Sequence, residues 1–131
     1  MIAIDTSALV AVITHEAERL RFLEIIAGSD RCLISDLGLF ETRLVTFSRY
    51  GHAGETLLEV WLASFEPEIV AFDEKRASAA MQAFKVYGKG IHAEARLNLG
   101  DCASYALAKT HNIPLLYKGA DFSATDISPA A

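Results

Sequence analysis

Short apolar runs recur along this chain, and each leads into a stretch with helical spacing. That alternation restricts the fold more than any other feature. A repeated strand–helix order favours parallel strands with helices covering both faces of the sheet. Met1-Ile-Ala-Ile-Asp5 reads as a short buried strand, and Thr6 or Ser7 suits the cap of a helix from Ser7 to about Ile13. Glu16 to Ala27 reads as a second helix, with Leu20, Leu23 and Ile26 or Ala27 on one face and Gly28 ending it. Arg31 to Ser35 reads as the second strand. Two helices follow, about Asp36 to Tyr50 stopped by Gly51, and about Ala53 to Phe65 stopped by Pro67. Ile69 to Phe72 is the third strand, and Asp73 caps a helix reaching about Tyr87. A loop from Gly88 to Gly100 leads to a helix from Asp101 to near His111-Asn112. Pro114 to Tyr117 is the fourth strand, and the tail at Asp126-Ile127 suits a short fifth. The expectation is an α/β chain with one domain over residues 1–131.

Four acids stand where this pattern makes an acid out of place. Asp5 ends the first strand, and Asp121 follows the fourth. Asp101 opens the last helix after Asn98-Leu-Gly. Glu41 shares a helical face with Leu37, Leu44 and Val45, so it points toward the core or into a cleft. Arg43 cannot pair with it, because residues two apart face away from each other on a helix. Each acid alone has a plain reading: Asp5 and Asp101 suit helix caps, Asp121 a turn, and Glu41 a snorkelling surface position. Together they suggest a shared site, because open parallel sheets place sites beyond the carboxyl ends of their strands. A buried carboxylate is costly unless something positive meets it. Hard oxygen ligands suit Mg²⁺, with Mn²⁺ as the expected substitute. Such a site points to metal-assisted phosphodiester chemistry.

Composition bounds these readings. Hydrophobic residues make up 52% of the chain, enough for a core and possible surplus for an interface. No uncharged stretch approaches the roughly 20 apolar residues of a membrane helix. The apolar start has no basic leader and carries Asp5, so the expected location is the cytoplasm, without a membrane. Cys32 and Cys102 lack pairing or zinc spacing and read as structural. The net charge of −5 argues mildly against nucleic-acid binding, unless metal offsets clustered acids. Basic residues gather at Lys75, Arg76, Lys85, Lys89, His92 and Arg96, where the plain reading is a solvated helix face.

The blocks Ile4-Asp5-Thr-Ser7-Ala, Glu41-Thr-Arg43, Leu97-Asn-Leu-Gly-Asp101-Cys-Ala-Ser-Tyr105-Ala-Leu-Ala108 and Gly119-Ala-Asp121-Phe-Ser-Ala-Thr125-Asp126-Ile127 carry a resemblance. In this order and spacing they resemble the PIN-domain ribonucleases, and more narrowly the VapC-type toxins of toxin–antitoxin pairs. The resemblance implies a three-layer α/β/α sandwich around a parallel sheet of four to five strands. It also implies a metal-dependent endoribonuclease whose acids are Asp5, Glu41, Asp101 and Asp121, all expected as catalytic and metal-binding groups. Thr6 and Ser7 would support Asp5, and Asp126 would act electrostatically or structurally. The implied partners are RNA, a VapB-type antitoxin and a second copy of the chain. The antitoxin groove is expected between Ser7–Ile13, Glu16–Ala27 and the helices of Asp36–Phe65, with Val10, Leu20, Leu23, Leu57 and Trp61 facing it.

Two other classes fit the same pattern. A Mg²⁺-binding receiver-like domain would use Lys118, with Ser35-Asp36 as a poor match for its phosphorylated aspartate. A non-catalytic α/β interaction domain would use the apolar surplus. The histidines His15, His52, His92 and His111 fall outside the acidic blocks, and only His92 is a candidate for RNA contact.

Overall fold

The computed structural model describes residues 1–131. In chain order the elements are β1 (Ile2–Ile4), α1 (Thr6–Ile13), α2 (Arg19–Ala27), β2 (Cys32–Ser35), α3 (Asp36–Phe65), β3 (Glu68–Val70), α4 (Glu74–Tyr87), α5 (Leu99–His111) and β4 (Leu115–Leu116). All strand pairs are parallel, in the order β3-β2-β1-β4. The first strand therefore lies inside the sheet, with Ala3 registered against Leu33 on one side and Leu115 on the other.

The two-residue period of the strands sorts the core into two layers. Ile2, Ile4, Cys32, Ile34 and Leu116 face α1 and α2, together with Phe22, Ile26 and Leu39. Ala3, Leu33 and Leu115 face α4 and α5, together with Ala80, Ala83, Ala106 and Leu107. Both faces are apolar, which is why the strands read as continuous apolar runs rather than alternating ones. Each fully buried Leu or Ile contributes about 1.5–3 kcal/mol by leaving water. The two cysteines are buried and free, one in each layer, so the sheet separates them. The result is the expected α/β/α sandwich. No helix is long and apolar enough to cross a membrane.

Several expected boundaries move, each for a local reason. The second helix starts at Arg19 rather than Glu16, because Glu16 is held in the preceding turn by Thr14 and Lys118. The last helix starts at Leu99, two residues before Asp101, because Asn98 is its cap. The third strand is shifted to Glu68–Val70 and is exposed at the sheet edge. There Arg31 meets Glu68 bidentately at 2.7–3.1 Å, a polar closure that discourages further strand pairing. The tail forms no fifth strand at Asp126-Ile127. It adds only a bridge between Leu115 and Pro129.

The two helices expected over residues 36–65 are both present, joined end to end at Gly51, whose φ of 65° and ψ of −148° are not helical, and together they form the bent α3. A residue with a Cβ pays strain in that region. At Glu66 the chain turns left-handed, and Pro67 prevents another turn of helix. Gly51→Ala should lower the unfolding free energy by about 1–3 kcal/mol in urea titration. No atom lies within 4 Å of the added methyl, so the loss would come from the backbone and not from a clash. An unchanged urea midpoint would show that the bend relaxes without cost.

Candidate active site

The turn from β1 into α1 holds Asp5 at the carboxyl edge of the sheet, 2% exposed. It is the N-cap of α1, so the plain capping reading of this acid is what the structure displays, and Thr6 and Ser7 are released from that task. Oδ2 accepts from the Ser7 backbone at 3.0 Å and from the Ser7 hydroxyl at 2.6 Å. Oδ1 is buried and has no hydrogen-bond partner. Ser104 approaches the carboxylate from α5 and favours its charged form, but its hydroxyl does not close a hydrogen bond on Oδ1. Burial raises the Asp5 pKa, and the Ser104 and Ser7 contacts oppose that rise. An orphaned carboxylate oxygen in a dry turn is the kind of group a cation would satisfy.

Asp101 follows the same division. Its Oδ2 accepts from the Asn98 backbone at 3.0 Å, while the Asn98 side chain accepts from the Asp101 backbone at 2.9 Å. This reciprocal box closes the start of α5. Its other oxygen is free of protein donors. Burial, followed by the charges of Asp5, Asp121 and Glu41, pushes the Asp101 pKa up to about 7, against the Asn98 hydrogen bond. All three other acids therefore act on Asp101. No three of the His, Cys, Asp and Glu side chains, however, stand close enough to form a finished metal cage.

Glu41 reaches this place by a route different from the expected one. Leu44 is 52% exposed and Leu37 and Val45 are only half-buried, so the apolar face shared with Glu41 is not the core face of α3. The core face is Gly38, Leu39, Thr42 and Thr46. Glu41 instead lies against Gly100, where an added Cβ would sit 3.0 Å from the carboxyl carbon. The glycine before Asp101 thus admits the Glu41 carboxylate beside the start of α5. Arg43 pairs with Glu59 at 3.9 Å and leaves Glu41 alone, as the spacing requires. Asp121 is exposed, in the turn after β4.

Side chains around these acids join the elements that carry them. Thr6 donates to the Gly38 carbonyl at 3.0 Å, tying the β1–α1 corner to the first turns of α3. The Ser7 hydroxyl also accepts from the Lys118 backbone at 2.9 Å, tying Asp5 to the loop that leads to Asp121. Ser104 and Lys118 in these roles are absent from the sequence reading. The only signal for Ser104 is its position three residues after Asp101, on the same helical face. Asp126 lies apart, accepting from Tyr105 at 2.5 Å and from Lys109 at 2.9 Å. His92 uses Nδ1 to accept from the Glu94 and Ala95 backbone.

Of the residues expected in a groove, Leu20 and Leu57 are exposed, and Val10, Leu23 and Trp61 are half-buried. A cleft of about 480 Å³ runs between Leu23, Ile26, Trp61 and Phe65, with Arg31 and Glu68 at its rim. It opens at the amino end of β2, away from the acids.

Comparison with known proteins places the chain in a family and a fold. The family model described as PIN domain matches residues 2–128. A VapC ribonuclease of Mycobacterium bovis is 44% identical over 128 residues, covering 98% of this chain and 97% of that protein. Ribonuclease VapC of Mycolicibacterium smegmatis is 43% identical over 125 residues, covering 95% and 96%. Among solved structures, Mycobacterium tuberculosis VapC20, described as a sarcin–ricin loop cleaving toxin, superposes with a TM-score of 0.79. It shares 20% identity and covers 97% of this chain and 96% of its own. VapBC2 from Rickettsia felis, solved with a promoter DNA fragment, gives 0.75 at 20% identity, covering 98% and 96%. Matched along nearly its whole length, this chain belongs to the PIN domain family and, within it, to the VapC group.

Proposed function

We propose that this chain, as one domain over residues 1–131, is a metal-dependent endoribonuclease and the toxic member of a pair with a VapB-type antitoxin. The observation that carries this reading is the buried Asp5, with one oxygen unpartnered, beside an Asp101 whose pKa Asp5, Glu41 and Asp121 all help to raise. Such an arrangement is unfavourable without a cation and is suited to one. The donor set is all carboxylate oxygen, as Mg²⁺ or Mn²⁺ prefers. Asp5 and Asp101 would hold the ion through their open oxygens, with Glu41 and Asp121 acting on it directly or through water, and Mg²⁺ is the proposed physiological ion. When bound, such an ion lowers the pKa of water to supply a nucleophile and offsets charge on the phosphate. Ser7 holds the Asp5 carboxylate, Asn98 holds Asp101, and Gly100 gives Glu41 room.

A receiver-like alternative loses its two key groups. Lys118 is occupied by Glu16 and Glu18, and Asp36 accepts the Phe72 backbone N–H. The exposed apolar side chains Phe40, Leu44 and Phe47, 46–56% exposed on α3, support the reading that a protein covers this surface, whether antitoxin or second copy. We read the location as cytoplasmic.

Asp5→Asn and Asp101→Asn should each remove at least about 100-fold of Mn²⁺-dependent RNA cleavage while keeping the circular dichroism of the parent. EDTA should do the same to the unaltered chain. Full activity in either purified variant would sink the assignment of these acids.

The pH dependence has a definite sign. An acid whose folded pKa lies above its unfolded value destabilises the fold as pH rises from the unfolded value of 3.8 through about 7. The protein in EDTA should therefore gain little or lose stability between pH 5 and 8 on account of Asp101 and Asp5. Millimolar Mn²⁺ should raise the melting temperature more at pH 8 than at pH 5.5, because protons compete with the ion at these carboxylates. An equal shift at both pH values would count against this site.

A further inference from the structure

Between Lys75 and Arg96 the chain carries five Lys or Arg residues against one acid, within a molecule of net charge −5. Several basic side chains elsewhere are committed to carboxylates: Arg31 to Glu68, Arg43 to Glu59, Lys109 to Asp126, and Lys118 to Glu16 and Glu18. Lys75, Lys85, Lys89 and Arg96 are exposed and form no ion pair, and of these only Lys89, in the loop after α4, has its backbone N–H on the Leu97 carbonyl. Lys118, whose backbone N–H donates to Ser7, has its charge offset by two glutamates.

One peptide unit joins Lys89 to the candidate centre. The Leu97 carbonyl accepts from the Lys89 N–H at 2.9 Å, and the N–H of that same Leu97–Asn98 peptide donates to Asp101 Oδ2 at 3.0 Å. The loop between them is braced. The Leu97 N–H donates to Tyr87, the Ile91 and His92 N–H groups donate to Gly88, and His92 Nδ1 accepts from Glu94 and Ala95. The Lys89 backbone is thus held in place before any substrate arrives, which lowers the ordering cost of binding. A group of four carboxylates repels a polyanion, so a nearby uncommitted cation is what an RNA strand would need to approach it. An ammonium on a flexible stem serves phosphate as a point charge.

We propose that Lys89 is a substrate-binding residue that takes a phosphate of the RNA strand beside the scissile bond. This rests on the ribonuclease reading above.

The test compares Lys89→Gln, Lys89→Arg and the control Lys85→Gln. Lys85 is also exposed and free of carboxylates, but no peptide links it to Asp101. Two quantities are read. One is steady-state cleavage in Mn²⁺ of a single-stranded RNA. The other is binding of the same labelled RNA to the Asp101→Asn background across a salt series. In Lys89→Gln, KM and Kd should rise about fivefold to tenfold with kcat within about twofold, and the salt slope should fall by about 0.7. Lys89→Arg should restore most of the binding, and Lys85→Gln should stay within about twofold of the parent. The Mn²⁺ melting shift should be the same in Lys89→Gln as in the parent. Equal effects of Lys89→Gln and Lys85→Gln, including none, would overturn the proposal. So would loss of the Mn²⁺ shift, since Lys89 would then act through the cap of α5. If the parent binds RNA through Lys89 but cuts none, the nuclease reading fails and the contact stands.

Discussion

Everything at the carboxyl edge depends on one buried charge. Asp5 sits at the end of an interior strand, 2% exposed, and its carboxylate cannot turn to water. A charge there must be hydrogen-bonded, neutralised by a proton, or met by a cation. The fold supplies the first remedy for one oxygen only, through Ser7. The arrangement of α3, α5 and the loop after β4 is best understood as what surrounds the other.

The same economy appears twice. Asp5 and Asp101 each use one oxygen to cap a helix and leave the second without a protein donor. Capping and metal binding are often weighed as rival explanations of a helix-terminal acid, but a carboxylate has acceptor sites for both. The cap orients the side chain, so the free oxygen is aimed without further contacts. Ser7 extends this logic by bonding both Asp5 and the backbone at Lys118, so that one hydroxyl sets the spacing of two loops.

Much of the fold is legible in the sequence because its strands are apolar on both faces and its helices have clear caps. Asp73 caps α4 as expected, and the loop after Tyr87 falls where the glycines put it. Glu41 does enter a cleft, but the apolar face around it is not the buried one, for a physical reason. Apolar spacing at Leu37, Leu44 and Val45 marks a face, but not which face is buried. The buried face of α3 is partly polar, because Thr42 and Thr46 satisfy their hydroxyls on carbonyls one turn back at 2.8 and 2.7 Å. A threonine satisfied in that way packs as a small residue, and hydropathy does not register it. Gly51 marks a break in the sequence, yet the helix resumes at once in a new direction. Sheet order, and with it the meeting of Ser104 with Asp5, depends on contacts between distant segments that no local window contains. The positions of the four acids are legible from motif and strand ends, while their roles rest on the proposal above.

The placement of β1 inside the sheet has a consequence for synthesis. Its neighbour β4 comes from residues 115–116, more than 110 positions later, and Asp121 comes later still. A growing chain therefore leaves that flank of β1 unpaired until residues 115–116 have been made. Asp121 cannot approach Asp5 and Asp101 before then. For a chain read as an RNA-cutting toxin, this ordering means that the outer partner of β1 and the fourth acid are both made after the other three acids.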